Sequence, residues 1–303
     1  MLYEALRQNR RRTAALFVVF VALVAATGWA AGTLFGDVRA GLAGALLFAA
    51  VYLPLTYFTA SAQVLALTGA REVTEAEAPE LHHVVEEVAL AARLPKPKVY
   101  VVDDEAPNAF AVGFAPDRGA VAFTTGLLRI MDREALEGVA AHEIAHLHNG
   151  DSRLMTLAVA LVGVIVLLAD IGGRLLWFGA GERERRRRSD RGGPEALLLL
   201  LALLVLFLAP LAAQLTRFAL SRNREFYADA QAVNFTRNPR GLIKALTRLK
   251  EAPAKVARAT EATADLYFVN PFGDVERWYH RSQLRLSELC HPSCSCNYQR
   301  RPD

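Results

Sequence analysis

Residues 132–150 read DREALEGVAAHEIAHLHNG, and this stretch decides the fold because it specifies one helix with a metal-binding face. Asp132 is a natural N-cap and Gly150 a natural stop, so the spacing predicts a helix from about Arg133 to Asn149. Residues four apart on a helix stand one above the other. His142 and His146 therefore project to one side and offer two ring nitrogens to a single Zn²⁺. Glu143 follows the first histidine and lies beside the metal rather than on it, where it can take a proton from a water activated there. His148 is about 200° round the helix from His146 and points elsewhere. A pattern fixed at three positions needs context, and the remainder of the chain has to provide it.

Two histidines leave a catalytic zinc one protein ligand short. A nearby third histidine would follow the pattern H-E-x-x-H-x-x-G-x-x-H, but Asn149 stands at the glycine position and Ser152 at the last histidine. The ligand must come from farther along. Residues 221–230 read SRNREFYADA, and Glu225 and Asp229 stand four apart on a predicted helix, facing one side. His146 and Glu225 are 79 positions apart, of which the hydrophobic residues 154–215 account for 62, leaving 17 once that segment is looped out. Glu225 thus completes a His₂Glu set, the catalytic arrangement that leaves a fourth position for water. Asp229, one turn on, is placed to receive the other ring N–H of a ligand histidine and fix its tautomer. The cofactor this site requires is one catalytic Zn²⁺.

Hydrophobic residues make up 53% of the 303, and they are bunched rather than spread periodically. Residues 13–36 hold no charge over 24 positions and residues 40–70 none over 31, whereas a membrane crossing needs about 20. These read as a hairpin turning through Gly36-Asp37-Val38-Arg39. The first run exceeds the roughly 7–15 apolar residues of a signal peptide, so it reads as a retained anchor. A second pair occupies residues 154–171 and 196–216. Arg7 and Arg10 to Arg12 place the N-terminus in the cytoplasm by the positive-inside rule, and two crossings return the chain to that side, with the site. The loop 174–191, with seven arginines and three acids, runs against the same rule if the second pair crosses fully. A net charge of +4 concentrated in membrane-flanking segments points to anionic headgroups rather than nucleic acid. Cys290, Cys294 and Cys296 are confined to the tail, so no disulfide framework supports the fold.

Between the hairpins the composition is that of a soluble domain. A helix is expected over residues 78–94, with His82 and His83 on it as solvated or capping residues. Lys98 to Val102, Ala109 to Val112 and Ala120 to Thr124 read as short strands of a small antiparallel sheet. Four segments follow: 1–62, basic N-terminus and hairpin; 63–153, catalytic part with the histidine helix; 154–215, second hairpin; 216–303, catalytic part with the third ligand and a tail. The expected class is an α+β membrane protein, mainly helical, with up to four transmembrane helices.

Taken together, Arg71-Glu72-Val73-Thr74, Asn108-Ala109-Phe110-Ala111, Thr124-Thr125-Gly126-Leu127-Leu128, the histidine helix and Ser221-Arg222-Asn223-Arg224-Glu225 leading to Asp229 resemble the HtpX-like family of membrane-bound zinc metallopeptidases. The resemblance covers Arg7 to about Gly273. It implies a zincin-like fold of the gluzincin type and ATP-independent endoproteolysis at the cytoplasmic face of a bacterial or archaeal inner membrane, in quality control of membrane proteins. It also implies that Asn108 to Ala111 border the cleft and that polypeptide substrate adds there as a strand. The C-terminus departs from the family: Glu288-Leu289-Cys290-His291-Pro292 stands where a Thr-His-Pro-Pro stretch is usual, so neither His280 nor His291 is assigned a role.

Overall fold

The structure, a computed structural model, describes residues 2–114, 118–161, 222–252, 256–257, 259, 263 and 266–269. Helix α1 spans Leu2–Phe35 and α2 spans Val38–Thr68. Gly36 between them has φ +84°, a left-handed conformation that glycine adopts without strain, and Asp37 accepts the Ala40 amide at 3.0 Å to start α2. The two helices touch backbone to backbone, because a Cβ on Gly28 would stand 2.5 Å from the Gly41 carbonyl oxygen. Among the described residues α2 is the one helix long and apolar enough to cross a membrane, with mean hydropathy 1.7 over its best 18 residues. Leu47, Phe48, Val51, Leu55 and Phe58 on it are all exposed. The apolar stretch Thr13–Ala26 of α1 is shorter. Of the expected second hairpin, residues 154–161 are helical. Its remainder, the arginine-rich loop and the cysteine-bearing tail lie outside the described residues.

Residues 7–63 with 157–161 belong to one compact unit, and residues 2–6 and 64–156 with 222–269 to another. The second holds β1 (Ala70–Glu72), α3 (Pro79–Ala91), β2 (Lys98–Val102), β3 (Ala109–Gly113), β4 (Gly119–Thr124), α4 (Thr125–Ile130), α5 (Arg133–His148), residues 151–156 of α6 (151–161 as described), α7 (Arg222–Thr236) and α8 (Pro239–Glu251). Helix α3 is shorter than the expected 78–94, stopping ahead of Arg93, whose φ is +57°. On it His82 is half-buried, with its Nε2 2.9 Å from the Val73 carbonyl, and His83 is exposed.

The sheet corrects the antiparallel expectation. Its order is β1-β2-β4-β3, and β2 pairs with β4 in parallel, Val99 opposite Val121. The short 114–118 connection allows only a hairpin between β3 and β4, which is antiparallel, with Ala111 opposite Val121. Strand alternation says which face is buried, not which strand becomes a neighbour. Here β3 lies inside the crossover from β2 to β4, and so becomes the sheet edge. Every residue of β3 and β4 is buried.

Helix α5 packs against β3, α3, α7 and α8, and Val84, Val85, Phe123, Leu127, Val139, Ile144 and Leu246 form the core around it. Its crossing with α8 is unusually close. A Cβ on Gly138 would stand 2.5 Å from the Leu242 amide nitrogen, so glycine there lets the backbones meet. The start of α5 is fixed by Asp132, which accepts the Ala135 amide at 3.1 Å and the Arg248 guanidinium at 2.7 Å. The Lys244 ammonium and the Ala135 amide hold its carboxyl below the ordinary value. That contribution to stability is present at neutral pH and is lost as pH falls through the lowered value.

Candidate metal centre

Helix α5 is buried along nearly its whole length, so the direction in which its histidines project is set by packing rather than by solvent. The two Nε2 atoms of His142 and His146 converge to 3.1 Å, and the rings stand edge to face at 4.8 Å. Helix α7 packs on α5 through a face that buries Ala228 and Ala232, small enough for close approach. This brings Glu225 Oε2 to 3.4 Å from His142 Nε2 and 3.8 Å from His146 Nε2. These three residues form a group that can hold a metal ion.

The donor set fits a tetrahedral zinc ion on three counts. Zn–N and Zn–O bonds of about 2.1 Å put tetrahedral ligand atoms about 3.4 Å apart, and the observed edges of 3.1, 3.4 and 3.8 Å bracket that spacing. Each imidazole has its other nitrogen tied to a carboxylate: His142 Nδ1 lies 3.0 Å from Asp229 Oδ1, and His146 Nδ1 lies 3.4 Å from Asp151 Oδ2. With Nδ1 carrying the proton, both Nε2 lone pairs face the common point. The electrostatics also favour a cation. Burial alone would depress the His142 imidazolium, yet Asp229 and Glu225 outweigh it and push the ring up to about 10. Burial would likewise raise the Glu225 carboxyl, but His146, His142 and Arg224 hold it well below the usual carboxylate range.

Glu143 sits beside this group without joining it. It is 1% exposed and, among the described residues, its Oε1 has no hydrogen-bond partner. Burial raises its carboxyl, opposed by the two histidines and by the Ala111 amide. Ala111, His142, Glu143, His146, Ser152, Met155, Arg224 and Glu225 line one cavity together with Leu266, Tyr267 and Phe268; the space open to the centre of a water is ≈ 20 Å³.

The structure therefore brings together Glu143, His142, His146, Glu225 and Asp229. Of the expected substrate strand, Ala111 alone lines the cavity. Phe110 is a fully buried core residue packed edge-on against Tyr267, ring centroids 5.3 Å apart. The Asn108 carboxamide and the Ala109 carbonyl are bonded to residues 268–269 of the same chain. His148 packs on Phe235, away from the site.

Asp151 escaped the sequence reading. It lies five positions past His146, beyond Gly150 with φ +70°, so the periodicity of α5 does not reach it. Its side chain is buried beside His146 and within 3.9 Å of Arg224. Carboxylates that orient a ligand imidazole typically contribute 10–100-fold in metal affinity. Asp151→Asn is expected to weaken zinc binding by about that factor with the helical content unchanged, measured by competition with a chromophoric chelator. An unaltered affinity would remove Asp151 from the site.

The sequence matches the family model for Peptidase family M48 over residues 75–292. A "Protease HtpX homolog" of Streptococcus gordonii (strain Challis) is 45% identical over 272 residues, covering 89% of this chain and 91% of the relative. Another of the same name, from Streptococcus pyogenes serotype M5 (strain Manfredo), is 46% identical over 272 residues with the same coverage.

Proposed function

The chain belongs to peptidase family M48 as an HtpX-like protease, and from that premise we propose a membrane-anchored, zinc-dependent endopeptidase that cleaves internal bonds of unfolded or misfolded proteins at the cytoplasmic face. The observation that carries this reading is the convergence of His142 Nε2, His146 Nε2 and Glu225 Oε2 beside a buried Glu143 that is not a ligand. A purely structural zinc would need no such carboxylate and would usually close its fourth position with a protein ligand.

His142, His146 and Glu225 would hold the ion. Zinc held there would supply Lewis-acid polarisation of the scissile carbonyl and would activate a water toward deprotonation near neutral pH. Glu143 accepts the proton of the attacking water and passes it to the leaving amine. Asp229 and Asp151 keep the two imidazoles in the tautomer and orientation that face the reacting centre.

Anchoring is supported by α2, whose apolar side chains are exposed along a helix of 31 residues. A bilayer is the solvent that such a surface fits. The arginines before Thr13 favour a cytoplasmic N-terminus and so a cytoplasmic catalytic unit. Quality control is the role that fits a protease at that surface whose substrates are recognised by their unfolded backbone.

The test uses the full chain in detergent with unfolded casein. Cleavage is expected to stop on chelation and to return when zinc is added back. Persistent cleavage after the metal has been stripped, checked by atomic absorption, would overturn the zinc mechanism. Full zinc occupancy with no cleavage would favour a silent scaffold instead.

A further inference from the structure

The edge of β3 beside the metal centre is occupied by the chain itself. In an antiparallel pair, alternate residues turn their N–H and C=O toward the partner. Asn108 carbonyl oxygen accepts the Thr124 amide at 2.9 Å, so the polar groups of Ala109 and Ala111 face outward. Ala109 carbonyl oxygen accepts the Phe268 amide at 2.8 Å, and Tyr267 bridges antiparallel to Phe110. Asn108 adds a two-pronged clasp. Its Nδ2 donates to the Val269 carbonyl at 2.7 Å and its Oδ1 accepts the Val269 amide at 3.0 Å. The carboxamide is itself buried, with Asn108 3% exposed.

We propose that residues 266–269 form a displaceable strap that occupies the place of substrate, and that an incoming extended polypeptide takes over its contacts with Asn108 and Ala109. The proposal rests on the peptidase reading above and deepens it. Among the described residues, the hydrogen bonds that hold the strap to Asn108 and Ala109 use its backbone, so any extended chain presents the same groups to the same partners. The exchange replaces one set of backbone bonds by an equivalent one, which costs little net hydrogen-bond energy. Displacement is also required by space. Leu266, Tyr267 and Phe268 wall the cavity in front of Glu143 and Glu225, and the ≈ 20 Å³ left takes a water or two but no peptide.

The strap also indicates what the occupant should look like. Phe268 sets its ring edge-on to His142 at 4.7 Å, and Phe268 and Val269 are buried against the core. A competing polypeptide regains most of this if it places a large apolar or aromatic residue against His142. Native proteins keep such residues buried, whereas unfolded ones expose them. Unfolded chains with exposed apolar segments are thus the substrate class that opens the site.

Hydrogen exchange on zinc-loaded, full-length Glu143→Gln protein tests this without altering the strap. With saturating carboxymethylated casein, the amides of Phe268 and Val269 are expected to exchange at least tenfold faster than in the free protein. Unchanged or increased protection with casein bound would overturn the strap. In a second arm, Phe268→Pro removes the amide donated to Ala109 in an otherwise active chain. The KM for casein is expected to fall at least threefold. An unchanged or higher KM in folded, zinc-loaded Phe268→Pro protein would also overturn it. The peptidase reading fails separately, by absence of casein cleavage in the unaltered chain, whatever the exchange at the strap.

Discussion

Glu143→Gln is expected to bind zinc at full stoichiometry and to cleave casein about 10³-fold more slowly, within the 10²–10⁴ that a positioned general base contributes. The substitution keeps the shape of the side chain and its carbonyl oxygen, so the Ala111 amide that faces Glu143 still finds an acceptor. It removes only the ability to take up a proton. Because Glu143 is outside the group formed by His142, His146 and Glu225, metal binding does not depend on its charge. Burial raises its carboxyl above the ordinary carboxylate value, which suits a base that must release the proton again to the leaving amine. Zinc content by atomic absorption and cleavage of labelled casein are the two measurements. Full activity in this variant would end the general-base assignment, and loss of zinc would mean that Glu143 serves the metal instead.

The metal centre was legible in the sequence to the extent that helical geometry determines it. His142 and His146 share a face because they are four apart. Glu225 and Asp229 share one for the same reason, and looping out the hydrophobic segment was enough to bring α7 beside α5. What periodicity cannot express is the relation between elements. The mixed sheet arises because β4 lies between β2 and β3, a choice made by the crossover rather than by any residue pattern. Asp151 reaches His146 only because the chain breaks at Gly150 and restarts at once. The strap is the extreme case, since Asn108 and Val269 are 161 positions apart and the short β-prone run Leu266-Tyr267-Phe268-Val269 does not name its partner strand. The expectation that Asn108 to Ala111 border the cleft left out that their edge already has an occupant.

Glu225→Ala is expected to give a folded protein that loses zinc and, with it, all measurable cleavage. Apparent binding energies of about 10–16 kcal/mol for four-ligand zinc sites correspond to roughly 2.5–4 kcal/mol per ligand, or about two to three powers of ten in affinity. The fold does not depend on Glu225 to the same degree. Its side chain is 37% exposed, and α7 is held by its packing on α5, with Ala228 and Ala232 buried. The substitution also leaves the pairs of His142 with Asp229 and of His146 with Asp151 in place, so the imidazoles keep their orientation and two donors remain. The two remaining donors are expected to give up zinc on gel filtration in the presence of a competing chelator. Zinc content afterwards, with circular dichroism to confirm the helices, separates this variant from Glu143→Gln: one loses catalysis with its metal, the other in spite of it. If Glu225→Ala instead kept zinc at full stoichiometry, the third ligand would have to be sought elsewhere. Asp151 is then the next carboxylate to test, because it already lies beside His146.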